Sequence, residues 1–201
     1  MEFLTSLDEL HTAYGTPGRA STVKVSPVLN RSYRTWIERS RFCVLTTVGP
    51  EGTDGSPRGD DGPVVRILDH RTLAMPDWRG NERIDSLRNI LRDGRVSLLF
   101  LIPGSNTAMR VNGTARVTLD PGLCDSFRRG DAVPRSVIVI AIAEVYSQCA
   151  RALLRSALWT SGDQSEGLPT VGDMLREITE GDLDGAAYDR DWPARAAKTM
   201  W

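Results

Sequence analysis

The chain has little of what builds metal and thiol chemistry. Its 201 residues include three cysteines (Cys43, Cys124, Cys149) and two histidines (His11, His70). The cysteines are scattered, odd in number and never spaced CxxC, which argues against a disulfide framework and a zinc site. The histidines sit in unrelated contexts, so neither a transition-metal site nor Ser-His-Asp hydrolysis is expected. GxSxG elbows, GxxxxGK[ST] loops and GxGxxG fingerprints are all missing, and nothing selects an acid pair for glycoside hydrolysis. An excess of one charge is lacking too. The 25 basic and 26 acidic residues leave a net charge of −1, without the field that attracts nucleic acid or a membrane surface. No apolar run approaches a membrane span, and Met1-Glu2-Phe3-Leu4-Thr5 lacks the basic start and apolar core of a signal peptide. These absences predict a reduced, soluble, cytoplasmic protein.

What is present is an ordinary globular composition, 40% hydrophobic and 25% charged, arranged mostly in strand patterns. Residues 1–30 read as an N-terminal helix and arm: Leu4, Leu7 and Leu10 recur at helical spacing behind the candidate cap Ser6, and Gly15 to Pro27 is broken by glycine and proline. A second helix is predicted over Ser32 to Ser40. Strands follow at Phe42 to Val48, Val64 to Leu68, Thr72 to Met75, Arg95 to Ile102, Ala108 to Leu119 and Ser136 to Tyr146. The run Gly55 to Gly62 reads as a polar loop. Asn81 to Arg92 reads as a helix with an apolar stripe of Ile84, Leu87, Ile90 and Leu91. Further helical patterns lie at 121–131, Cys149 to Leu158 and around Val171 to Ile178. Hairpin-like spacing points to an antiparallel sheet, mainly β with flanking helices, closed or split as a barrel. The organisation is then an arm (1–30), a barrel domain (31–160) and a helical tail (161–201) expected to pack on the barrel.

One stretch carries the chemistry. Pro76-Asp77-Trp78-Arg79-Gly80-Asn81-Glu82-Arg83-Ile84-Asp85-Ser86 joins a strand to a helix. A helix start offers free N–H groups and a positive dipole end. Arg83 adds a forked guanidinium suited to phosphate oxygens, and Asn81 and Ser86 add donors. A capped helix with solvent arginines is the plainer explanation. Arg58, in Ser56-Pro57-Arg58-Gly59, offers a second cation or is simply part of a surface loop. Arg110 lies on a strand with Asn112 on the same face, where it needs an anion or a salt-bridge partner. Arg151 and Arg155 share one helical face, and Trp159 offers a flat ring for stacking or a core tryptophan. Cys149 reads as a small buried residue rather than a nucleophile. A chain poor in acid–base groups and rich in anion-binding groups fits redox chemistry carried by a cofactor.

Taken together, PDxxGNxRxDSxxN, RVSLLFLIPG, RVNGTARV and CARALLRSALW resemble the pyridoxamine 5′-phosphate oxidase-like FMN-binding proteins from about Trp36 to Trp159. The resemblance implies the FMN-binding split β-barrel and a homodimer with FMN at the subunit interface. It implies that Val65, Arg66 and Ile67 run beside the isoalloxazine and ribityl chain. Pro76 and Asp77 would lie near the cofactor, and Asn81, Arg83 and Ser86 would hold the phosphate with help from Arg58. Arg110 would face the flavin, and Arg151, Ser156 and Trp159 would reach it from the partner subunit. The implied activity is flavin-dependent oxidoreduction. A flavin or haem carrier or sensor on the same barrel, or a deazaflavin reductase, are the rival expectations. Two features depart from true pyridoxamine phosphate oxidases: Glu82-Arg83 stands where they carry a basic pair, and the tail Lys198-Thr199-Met200-Trp201 lacks their substrate-binding arginine and histidine.

Overall fold

The computed structural model describes residues 1–201. Seven strands form one antiparallel sheet: β1 (Phe42–Gly49), β2 (Gly52–Gly59), β3 (Arg66–Ile67), β4 (Thr72–Asp77), β5 (Arg95–Leu101), β6 (Ala108–Thr118) and β7 (Ser136–Gln148). Their order is β2-β1-β5-β6-β7-β4-β3. Alternation places Cys43 and Leu45 of β1, Val96, Leu98 and Phe100 of β5, Met109 and Val111 of β6 and Ile138 and Ile140 of β7 in a single core. The sheet curls until its two ends face each other. Arg58 near the end of β2 donates from Nη1 to Asp77 Oδ1 at the end of β4 (2.5 Å), yet no strand ladder joins these ends. The barrel is therefore split. β6 bends at a register shift between Asn112 and Gly113. A Cβ on Gly113 would lie 2.0 Å from the Ala141 carbonyl oxygen, so glycine alone fits this close approach.

Eight helices accompany the sheet. Helix α1 (Leu7–Tyr14) starts at Ser6, whose hydroxyl accepts from the Glu9 N–H as expected. The arm after it is not wholly extended: α2 covers Arg19–Val23. Helix α3 (Arg31–Glu38), capped by Asn30, sinks Ile37 into the core beside Tyr33 and Trp36. Helix α4 (Asp85–Arg92) buries Ile90 and packs across β1, where Asn89 Nδ2 donates to Thr47 Oγ1 (3.1 Å). The short helix α5 (Pro121–Asp125) and the five-residue α6 (Arg151–Arg155) flank β7. Beyond them, α7 (Val171–Ile178) and α8 (Gly185–Thr199) pack on each other where Gly172 meets Gly185. No helix is long and apolar enough to cross a membrane.

Five expectations need correction. The strand expected over Val64 to Leu68 is reduced to Arg66–Ile67, and the helix expected over 121–131 ends at Asp125. The stretch read as a loop from Gly55 is most of β2. This strand lies at a sheet edge and lines a polar opening, so Asp54, Ser56 and Arg58 take the inward positions where apolar residues would have signalled a strand; an edge also tolerates Pro57. The helix expected from Asn81 begins at Asp85, because Glu82 (φ 61°) and Ile84 (φ 53°) are left-handed and cannot continue a helix. The helix expected from Cys149 to Leu158 shrinks to five residues, ending before the left-handed Ala157 (φ 49°).

Candidate functional site

A cleft of about 1310 Å³ opens at the split, between β2, the end of β4, the 78–84 loop and the start of α4. The walls from β2, β4 and the 78–84 loop follow from local sequence. Alternation along β2 aims Asp54, Ser56 and Arg58 inward. Strand β4 ends at Pro76 and Asp77, where the chain leaves the sheet, and Trp78 Nε1 donates to Asp60 Oδ2 (3.0 Å). The left-handed residues Glu82 and Ile84 turn the loop so that α4 presents its N-terminus to the cleft. Arg135 ties down this turn through Glu82 (3.0 Å). No side chain caps α4, so its leading N–H groups keep their capacity for an anion. Left-handed non-glycine residues cost about 1–2 kcal/mol each, and here they sit at the mouth of the helix.

Polar partners along the walls are specific. Ser86 is 3% exposed and donates from Oγ to Asp54 Oδ2 (2.5 Å). Arg58 is held by Asp77, and its buried Nε has no partner. Arg83 is largely exposed and donates from Nε to Asp85 Oδ2 (2.8 Å). Asn81 turns inward on its own loop, its Oδ1 accepting from the Arg83 N–H (3.2 Å). Arg79 and Arg88 line the same cleft, and neither forms an ion pair with a protein carboxylate.

The cleft thus gathers Arg58, Pro76, Asp77, Asn81, Arg83 and Ser86. The other candidate residues lie elsewhere in the chain. Val65 is core, 2% exposed. Arg66 points to α5, donating to Ser126 Oγ and the Ser126 carbonyl (both 2.8 Å) and lying 3.9 Å from the Phe127 ring centre. Ile67 packs against the core from β3. Arg110 stands on the outer barrel face, its Nη1 3.5 Å from the Tyr146 hydroxyl and its buried Nε without a partner. Arg151 and Ser156 are exposed at α6. Trp159 donates from Nε1 to the Ser105 carbonyl (2.7 Å), which fastens this segment to the β5–β6 turn.

Arg88, beside Arg83 at the helix start, lines the cleft as the motif suggests, and Arg79 and Trp201 join it without having been expected. Arg79 is visible inside the loop-and-helix motif. Trp201 comes from the far end of the sequence, and no local pattern announces it. The cysteines offer no nucleophile to the cleft. Cys43 sits opposite Arg58 in the β1–β2 ladder, and burial pushes its thiol up to about 12 against the pull of the Arg58 charge. Cys124 is also buried. Cys149, expected to be buried, is exposed because β7 has ended and α6 has not begun.

The match to known proteins covers this architecture. Residues 29–149 fit the family model described as pyridoxamine 5′-phosphate oxidase, well over half of the chain and every strand of the barrel. The chain belongs to the pyridoxamine 5′-phosphate oxidase family. Among solved structures it is similar to HupZ of Group A Streptococcus, at 18% identity over 59% of this chain and 93% of that one (TM-score 0.49). A Lactobacillus delbrueckii protein of the pyridoxamine 5′-phosphate oxidase type matches at 24% identity, over 60% of this chain and 95% of that one (TM-score 0.48). An FMN-binding protein from Syntrophomonas wolfei matches at 11% identity, over 71% and 97% (TM-score 0.43). No curated protein matches the chain.

Proposed function

We propose that the chain is an FMN-binding oxidoreductase whose cofactor lies in the cleft at the barrel split. The observation that carries this reading is the uncapped start of α4 set among Arg58, Arg79, Arg83 and Arg88 in one opening. Unused N–H groups, a dipole end and guanidinium forks suit a phosphate dianion. The partnerless Nε of Arg58 is a further donor at this wall. The cleft is ample for a cofactor-sized molecule. Arg83 and Arg88 would grip the phosphate, Ser86 would steady the first turn through Asp54, and Arg58 with Asp77 would fix the wall between β2 and β4. A bound flavin would supply two-electron redox chemistry. The residues around it bind and orient, and no cleft side chain stands out as a proton donor or base.

We further propose a homodimer. Register places Val44, Leu99, Arg110 and Tyr146 in one row across β1, β5, β6 and β7 on the outer face. A row of two half-buried aliphatics, a tyrosine and an arginine with an unused buried Nε suits burial against a second copy. A partner seated there would bring Arg110, Arg151, Ser156 and Trp159 toward a site that one chain leaves open on that side. The three free cysteines fit a reducing, cytoplasmic setting.

The test is a flavin titration. Purified protein mixed with FMN should retain one flavin per chain after gel filtration, at the mass of a dimer. Arg83→Ala and Arg88→Ala should each weaken FMN about tenfold or more, as loss of a charge-assisted phosphate contact does, and leave riboflavin affinity unchanged. Equal losses for FMN and riboflavin would refute the phosphate cradle. Flavin that is reduced by NADH or NADPH supports the enzyme. Flavin that stays oxidised with every donor supports the carrier or sensor.

A further inference from the structure

The cleft has an aromatic wall assembled from residues far apart in the chain. Trp201, just beyond α8, lines it together with Met200 and Trp78. The two indoles meet edge to face, with ring centroids 5.3 Å apart and planes at 79°. Arg129 lies over both, 4.7 Å from the centre of the Trp201 ring and 5.9 Å from that of Trp78. Asp60 and Asp61 pair with Arg129, and Asp60 also accepts from Trp78 Nε1. The Asp60 side chain is 4% exposed, so this junction of β2, β4 and the segment after α5 is built into the protein rather than laid on its surface.

We propose that Trp78 and Trp201 form the wall against which the flat ring of the bound flavin packs, with Trp201 a binding contact to that ring. The inference rests on the flavin reading of the cleft and adds which residues recognise the ring. Indole is electron-rich and presents a large flat apolar surface, a good match for an electron-poor conjugated ring. The two aspartates neutralise Arg129, so the wall offers aromatic surface rather than a second anion site. Cation–π contact with Arg129 holds Trp201 in place, although α7 and α8 otherwise pack mainly on each other. The wall and the arginines at α4 bind opposite kinds of chemistry within one cleft, ring at one side and phosphate at the other.

The experiment compares wild-type protein, Trp201→Ala and Trp201→Phe in titrations with FMN and with riboflavin, following flavin fluorescence. An indole against the ring quenches flavin emission by electron donation from the excited pair. Wild type should therefore bind FMN with strong quenching. Trp201→Ala should bind FMN and riboflavin alike roughly tenfold more weakly, the scale of a lost stacking contact, with brighter bound flavin. Trp201→Phe should recover most of the affinity and stay bright. Wild-type affinity and wild-type quenching in Trp201→Ala would overturn the wall and leave the phosphate cradle standing. Failure of wild type to take up either flavin would overturn both readings. Unchanged thermal unfolding of the variants is expected, because Trp201 is 37% exposed and lies outside the barrel core.

Discussion

The barrel and its helical arms are stabilised in different ways. In the barrel, Leu45, Leu98, Phe100, Val111, Ile138 and Ile140 are almost fully removed from water and touch one another across four strands. In the arms, α1 and α2 bury nothing, and α7 and α8 bury only the glycines at which they cross. The barrel is held by burial, which couples residues distant in sequence. The arms are held by caps and local hydrogen bonds: Ser6, the Thr170–Asp173 capping box and Asp184 each satisfy a helix start. The lesson is that substitutions should act globally in one region and locally in the other. The cleft lies where the regions meet, since Trp201 carries the tail to the barrel split.

The largest expected effect is in the core. Phe100→Ala should destabilise the protein by about 3–5 kcal/mol, read as a lower denaturant midpoint; a loss below 1 kcal/mol would erase the contrast with the arms. Gly113→Ala should come next, at roughly 1–3 kcal/mol, because the new methyl meets the Ala141 carbonyl. A register change at the 112–113 irregularity should accompany it, visible in amide shifts of β6 and β7. Thr170→Ala removes a cap and its box partner, about 1 kcal/mol. Hydrogen exchange should accelerate in α7 and α8 alone, and faster exchange in β5 would show that tail and barrel unfold together. The smallest effect concerns acid. Arg95 and its backbone N–H hold the Asp93 carboxyl down from 3.8 to about 2. A lowered value in the folded state stabilises above the ordinary carboxylate range and is lost as pH falls through about 2. Asp93→Asn should therefore lower stability slightly at neutral pH, where the pair contributes in full, and flatten the acid limb of the stability curve between these values; the effect is small because the Arg95 side of the pair is solvent-exposed.

The same contrast explains what could be read from the residues alone. β1, β5, β6 and β7 were legible because inward positions alternate with outward ones, as in Val96, Leu98 and Phe100. Ser6 at α1 was legible because a cap is local chemistry. β2 was not, because its inward residues face a polar cleft instead of the core. The start of α4 was hidden by Glu82 and Ile84, which have no compositional bias toward left-handed backbone. Half of the candidate site was legible as a motif around Arg83 and Ser86. The contact of Arg66 with Ser126 had no local signal because Ser126 lies far along the chain, and Trp201 had none because only folding brings it to Trp78.

Whether the uncapped α4 and its arginines receive the phosphate of FMN at the barrel split is decided by a crystal structure of the protein grown with saturating FMN. Phosphate density is expected within hydrogen-bonding distance of the Asp85–Leu87 N–H groups and of Arg83 or Arg88. Flavin bound with its phosphate away from α4, or a cleft holding only solvent, would contradict that placement.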